Sequence, residues 1–266
     1  MRPLIAGNWK MNGLTPQLAE IEAIATCVAE TPPFADILIC PPSTLITRAV
    51  QVAAGRIAIG GQDCRKEIAG AFTGGISAEM LRDAGASTVI VGHSECRQHY
   101  GETNALVAAK AKAAMRAGIL AIICIGETKS QRQEGNALSA CGDQISGSVP
   151  EGITSSANAI GYEPLWAIGT GESATHEEIA EVHAHIRQCL VARFGAEGKK
   201  VRILYGGSVK ATNALQILAI PDVNGALIGG ASLKAIDFDA IIRTVAANAA
   251  RNGSTGQQKR AAGTGP

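Results

Sequence analysis

Eight short apolar runs, separated by longer stretches with helical spacing, restrict how this chain can fold more than any other feature. The runs are Pro3 to Asn8, Ile37 to Cys40, Ile57 to Gln62, Thr88 to Gly92, Leu120 to Ile125, Ala157 to Tyr162, Arg202 to Tyr205 and Ala226 to Ile228. They are nearly continuous in aliphatic residues instead of alternating with polar ones, as in strands buried on both faces of a parallel sheet. Between them, Leu18, Ile21, Ile24, Ala25 and Val28 fall on one helical face, as do Ile179, Val182, Ile186, Cys189 and Leu190. Thr15-Pro16 predicts a helix start with an N-cap and Pro at the first position, and Thr175-His176-Glu177-Glu178 one with an N-cap and acids in the first turn. Eight βα units suit closure into a (β/α)8 barrel, and 266 residues at 46% hydrophobic composition suffice for one such domain. An open doubly wound sheet is the competing architecture, but no GxGxxG follows the first strand and the glycine-rich turns come late. The barrel is expected over residues 1–250. Residues 251–266, aperiodic and rich in Gly, Gln, Lys and Thr, are expected to form a disordered tail.

Charge and cysteine usage exclude several function classes. A net charge of +1 offers no basic excess for a nucleic-acid backbone or an anionic membrane, so any anion recognition must be local. The seven cysteines are scattered, with no CxxC pair and no Cys/His cluster, so neither a disulfide framework nor a metal site is expected. The apolar run at Met1 to Asn8 is too short for a signal peptide, and no stretch reaches membrane-spanning length. A cytoplasmic protein is expected.

In a barrel of this kind, function sits where the strands exit at their carboxyl ends. Pro164 forces Glu163 toward extended geometry, placing a carboxylate at the end of the sixth strand. The following Leu165, Trp166, Ala167 and Ile168, bounded by Gly161 and by Gly169 and Gly171, are unusually apolar for a loop and suggest a lid; a buried connection would have the same composition. The first strand delivers Asn8 and Lys10 beside Trp9, and the fourth delivers His93 in front of Ser94 or Glu95, either of which can open a helix. A helix N-terminus disfavours imidazolium, so a neutral His93 is expected. Tyr205-Gly206-Gly207-Ser208 and Leu227-Ile228-Gly229-Gly230-Ala231-Ser232 supply glycine pairs whose N–H groups can close on an anion, aided by a short helix opening at Ala231. Base, imidazole, ammonium, phosphate grip and lid together suit proton transfer beside a carbonyl in a small phosphorylated sugar, with no metal and no cofactor.

The stretches Gly7-Asn8-Trp9-Lys10-Met11-Asn12, Gly92-His93-Ser94-Glu95, Tyr162 to Gly171 and Tyr205-Gly206-Gly207-Ser208-Val209 resemble the signatures of the triosephosphate isomerase family. The match runs from about Arg2 to Ala246, and several motifs in the family's order and spacing carry it. The resemblance implies a TIM barrel that interconverts dihydroxyacetone phosphate and D-glyceraldehyde 3-phosphate through an enediol(ate). It implies Glu163 as the base, His93 as the electrophile, Lys10 as the group that stabilises developing charge, and Glu95 as a second acid near Lys10. It further implies Asn8 as a hydrogen-bond partner of the substrate and Gly169, Ser208, Gly229 and Gly230 as the phosphate grip. Ile168 and Leu227 would set the size of the pocket.

The same resemblance implies a homodimer formed through the loop from Gln62 to Gly75, with Phe72-Thr73-Gly74 as the tip that enters the partner. Gly75 and Cys96, where Glu and Arg are common, depart from the family's usual pattern, and so does the hinge Glu172-Ser173-Ala174, where Lys-Thr-Ala is commoner. Near the interface, the Cys96 thiol would be a candidate for reaction with thiol reagents. Two rival functions remain, an isomerase of a four-carbon sugar phosphate and a catalytically silent binding protein on the same scaffold. Retention of Asn8, Lys10, His93 and Glu163 argues against the second.

Overall fold

The computed structural model describes residues 1–168 and 173–245. The expectations for Gly169, Glu172 and residues 251–266 lie outside the described residues. Strands β1 (Leu4–Asn8), β2 (Asp36–Cys40), β3 (Ala58–Gly61), β4 (Thr88–Val91), β5 (Leu120–Ile125), β6 (Asn158–Tyr162), β7 (Arg202–Tyr205) and β8 (Gly225–Ile228) form a closed barrel in chain order. All neighbours are parallel, and β8 returns to β1 with Leu4 opposite Gly225. Each strand lies within about one residue of its apolar run in the sequence. The crossover segments carry α1 (Leu18–Glu30), α2 (Ile46–Ala53), α3 (Ala78–Asp83), α4 (Ser94–Tyr100), α5 (Asn104–Ala117), α6 (Lys129–Gln133), α7 (Ala137–Ser148), α8 (His176–Gly198) and α9 (Ala214–Leu218). Among the described residues, no helix is long and apolar enough to cross a membrane.

Two hydrophobic layers explain why the strand runs are continuous. Leu4, Ala6, Leu38, Ile122, Leu204 and Leu227 pack in a cluster drawn from strands alone, which fills the barrel interior. Ile5, Ile39, Val89, Ile123 and Ile160, offset by one residue, join the cluster that includes Ile21 and Ile24 of α1 and Ile186 of α8. Successive strand residues point to opposite faces, so a strand apolar on both serves both layers.

Helix starts followed the sequence in one case and not in the other. Thr175 caps α8 by accepting the Glu178 N–H at 3.2 Å, and Glu178 returns a bond to the Thr175 N–H. Thr15, by contrast, opens only a 3₁₀ turn, Thr15–Gln17, and its hydroxyl accepts from Arg48 at 2.7 Å. Helix α1 begins at Leu18 without a side-chain cap. The preceding turn already occupies the first backbone groups, so the local Thr-Pro signal marks the turn instead of the helix.

Candidate active site

The barrel gathers groups from five strand exits around a cavity of about 230 Å³. Asn8, Lys10, His93, Glu163, Ile168, Ser208, Leu227, Gly229 and Gly230 all line it, and Gly206, Gly207, Lys210 and Ala231 are among the other residues of the wall. A larger cavity of about 820 Å³ lies at the strand starts, near Arg2, Asp36, Arg56 and Arg202. It contains none of the groups predicted to react.

Glu163 leaves β6 directly after Tyr162, and its N–H donates to the Ile125 carbonyl at 2.8 Å. Its side chain is buried. Oε1 lies 2.9 Å from His93 Nε2, and Oε2 accepts the Ser94 N–H at 2.9 Å. His93 itself caps α4, Nδ1 accepting the Glu95 N–H at 3.2 Å. A nitrogen that accepts carries no proton, so the neutral ring holds its hydrogen on Nε2 and donates it to Glu163.

The electrostatics of this pair modify the expectation of a histidine held neutral by its helix. Burial works against imidazolium, but the Glu163 carboxylate, helped by Glu95 and opposed by Lys10, outweighs it and raises the His93 pKa above its ordinary value. Burial likewise penalises the Glu163 carboxylate, yet the His93 contact, the Ser94 N–H and Lys10 together hold its pKa below the usual range. In Glu163→Gln the imidazole keeps its burial and loses its main favourable partner, so its pKa falls. NMR titration of the His93 ring in both proteins measures this; an unchanged or higher value would show that Glu163 does not control the ring.

Lys10 occupies the left-handed region at φ 52°, which is rare for a residue with a β-carbon. Two bonds hold it there: its N–H donates to Asn8 Oδ1 at 3.0 Å, and its carbonyl accepts from Gln62 Nε2 at 2.8 Å. The ammonium is thereby directed into the cavity and pairs with Glu95 at 2.6 Å. Glu95 does not line the cavity; it stands behind Lys10, half-exposed. Trp9, adjacent to Lys10, is buried and donates from Nε1 to the Ser232 carbonyl at 2.9 Å, tying the exit of β1 to that of β8. That exit carries a single 3₁₀ turn, Gly230–Ser232, in place of the expected helix at Ala231.

Several supporting residues gave no signal in the sequence. A β-carbon at Gly126 would overlap the Glu163 carbonyl oxygen, and one at Gly206 would lie 2.9 Å from Glu163 Cγ. Gly126 lets the chain after β5 approach the Glu163 backbone, and Gly206 lets the chain after β7 approach its side chain. Glu127 is completely buried and accepts from Trp166 Nε1 at 2.9 Å, Tyr162 Oη at 3.1 Å and Arg132 Nη2 at 2.9 Å. It anchors the apolar segment that follows Glu163, although Gly126-Glu127-Thr128-Lys129 reads as a polar surface turn. The one clue was Trp166, whose indole needs an acceptor when it is packed.

The loop from Gln62 to Gly75 starts beside this site, since Gln62 Nε2 also donates to the Cys40 carbonyl at 2.9 Å. Phe72 lies under the Arg65 guanidinium, 4.0 Å from its ring centroid. A β-carbon at Gly75 would run into the Arg65 side chain, so the glycine makes room for that stack. Burial, reinforced by Asp63 and Glu102, pushes the Cys96 thiol up to about 12, which opposes the reactivity expected of it.

The triosephosphate isomerase family model matches residues 3–245. A triosephosphate isomerase of Afipia carboxidovorans is 58% identical over 242 residues, covering 91% of this chain and 96% of that protein. One of Rhodopseudomonas palustris is 54% identical over 91% of this chain and 96% of its own length. The crystal structure of triosephosphate isomerase from Bartonella henselae superposes with a TM-score of 0.86 at 50% identity, covering 92% of this chain and 99% of that one. A family model spanning the whole barrel, with relatives more than half identical over nine-tenths of the chain, establishes that this protein belongs to the triosephosphate isomerase family.

Proposed function

We propose that this chain interconverts dihydroxyacetone phosphate and D-glyceraldehyde 3-phosphate, a step of glycolysis and gluconeogenesis, in the cytoplasm. The observation that carries the reading is the carboxylate–imidazole pair, Glu163 Oε1 to His93 Nε2 at 2.9 Å, in a wall of the cavity that Lys10 and two glycine loops complete. With substrate bound, Glu163 exchanges its bonds to His93 and Ser94 for the carbon-bound hydrogen next to the carbonyl. It removes that proton and returns it to the neighbouring carbon. His93 Nε2–H donates to the carbonyl oxygen and takes up the proton of the adjacent hydroxyl. Once Glu163 has moved away, the largest influence favouring imidazolium is gone, and the Glu95 N–H on Nδ1 keeps the ring neutral. Lys10 offsets the negative charge of the enediolate, and Asn8 hydrogen-bonds the substrate. Backbone groups at Gly169, Ser208, Gly229 and Gly230 hold the phosphate. Ile168 and Leu227 limit the length of the sugar and exclude water. Glu95 acts by positioning Lys10.

Size selection separates this reading from that of a four-carbon sugar phosphate isomerase. An extra carbon in a pocket closed by Leu227 and Ile168 should lower kcat/KM by about tenfold or more relative to the triose phosphate. Equal values for the two substrates would favour the other isomerase.

A homodimer through residues 62–75 belongs to the same proposal. Exposed Ile68 and Phe72 of this loop, together with Met11 and Leu14 in the loop that Gln62 tethers, support it. Were the Glu and Arg common at positions 75 and 96 to pair across the interface of relatives, Gly75 and Cys96 would cost this chain that one pair, a small loss if it were exposed. Sedimentation at micromolar concentration should find a dimer; a monomer at that concentration would be incompatible with the proposal.

A further inference from the structure

Away from the cavity, the fold collects three groups that are distant in the sequence. Asp63 follows β3, Cys96 lies on α4, and Glu102 precedes α5. A carboxylate oxygen of Asp63, the Cys96 Sγ and a carboxylate oxygen of Glu102 all lie within 4.8 Å of one another. The Glu102 side chain is 3% exposed, and its Oε2 is buried with no hydrogen-bond partner among the described residues. Lys110 Nζ pairs with Glu102 and reaches both Asp63 oxygens at 2.7 Å. Two carboxylates facing one ammonium leave a net negative charge in a largely closed site. An unsatisfied buried carboxylate oxygen is costly, and a cation would satisfy it.

We propose that Asp63, Cys96 and Glu102 form a binding site for a thiophilic divalent cation of the zinc class. One thiolate with two carboxylates favours zinc-like ions over magnesium or calcium. Binding replaces the Cys96 S–H bond by a metal–sulfur bond, and the thiol proton leaves to solvent. The site then holds three anionic ligands, the dication and the Lys110 ammonium, with no net charge. Lys110 remains as a donor to the carboxylates, in the role that groups behind the ligands usually take. Ligand bonds of about 2.0–2.3 Å in a tetrahedral site require the three donors to close by about 1 Å. Asp63, whose side chain is 40% exposed in the single chain, is the ligand that moves, carrying its bonds to Lys110 with it. Water completes the shell. The inference is independent of the isomerase reading, because none of the three residues lines the cavity. A bound ion would join the root of the 62–75 loop to α4 and to the start of α5.

The test uses the full-length, reduced, metal-stripped protein. Cadmium titration is followed by the ultraviolet thiolate-to-cadmium absorption, and zinc binding by calorimetry. One ion per chain is expected, and Cys96→Ser should weaken binding by more than the about 10- to 100-fold that follows loss of a supporting residue. Cys189→Ser, on the half-buried cysteine of α8, should bind as the wild type does. Unaltered absorption in Cys96→Ser, or equal loss in Cys189→Ser, overturns the site. Retained isomerase activity verifies that each variant is folded. Anomalous diffraction from cadmium-soaked wild-type crystals requires no variant at all: a peak between Asp63, Cys96 and Glu102 is expected, and peaks only elsewhere, or none, overturn the proposal.

Discussion

Glu163→Gln lowers kcat by about 10²- to 10⁴-fold, the range over which a positioned general base acts. Glutamine keeps the volume of the buried side chain and one oxygen to accept the Ser94 N–H, so the local geometry is conserved while the basic lone pair is lost. The glycine loops at 206–210 and 228–231, proposed to hold the phosphate, are untouched, so KM changes much less than kcat. A coupled assay in both directions reads both constants. Fall of KM alone, or rates equal to wild type, would assign the base to another group.

Gly126→Ala damages both stability and activity, although residue 126 carries no reacting group. The new methyl group would overlap the Glu163 carbonyl oxygen and stand 3.0 Å from Leu165 Cδ1. Backbone cannot swing aside as a flexible side chain would. The neighbouring chains are fixed by the Glu163 N–H bond to Ile125 at 2.8 Å, and Gln144 grips Gly126 from both sides, accepting its N–H at 2.9 Å and donating to its carbonyl at 2.8 Å. Relief therefore means parting β5 from β6 at their exits, at a cost of about 1–3 kcal/mol or more for overpacking. Displacing Glu163 by about 1 Å would lower kcat by roughly a further 10²-fold. Urea unfolding and the same kinetic assay measure the two effects. Wild-type stability together with wild-type kcat would mean that the close approach at Gly126 is not rigid.

The barrel was legible because burial on both strand faces leaves little choice of residue. A run such as Leu120 to Ile125 has to satisfy the interior with Ile122 and Cys124 and the helix layer with Ala121, Ile123 and Ile125. The candidate groups stood out because a charged or polar residue directly after such a run is conspicuous, as with Glu163 after Tyr162 and His93 after Gly92, and the barrel brings these two side chains to 2.9 Å. What surrounds them was not. Glu127 has the same composition whether it is a solvated turn residue or the completely buried acceptor of an indole, a phenol and a guanidinium; only the packing of Trp166, Tyr162 and Arg132 against it decides. The influence of Glu163 on the His93 pKa depends on a contact between the residues that follow β4 and β6, which local helix-start reasoning cannot contain. The grouping of Asp63, Cys96 and Glu102 is likewise a product of closure, since spacing alone suggested no metal site.

Turnover in deuterium oxide tests the central claim, proton transfer by Glu163 through an enediol(ate), most directly. Wild-type protein and Glu163→Gln are supplied with dihydroxyacetone phosphate, and the trapped product is examined by NMR for deuterium bound to carbon. A base that lifts a proton from one carbon and returns it to the next exposes that proton to exchange, so the wild type should yield product with deuterium on carbon, and the variant should form it far more slowly. Product formed at full rate by Glu163→Gln, or wild-type product with hydrogen alone on that carbon, would leave no sign of a base that exchanges with solvent and would contradict the account.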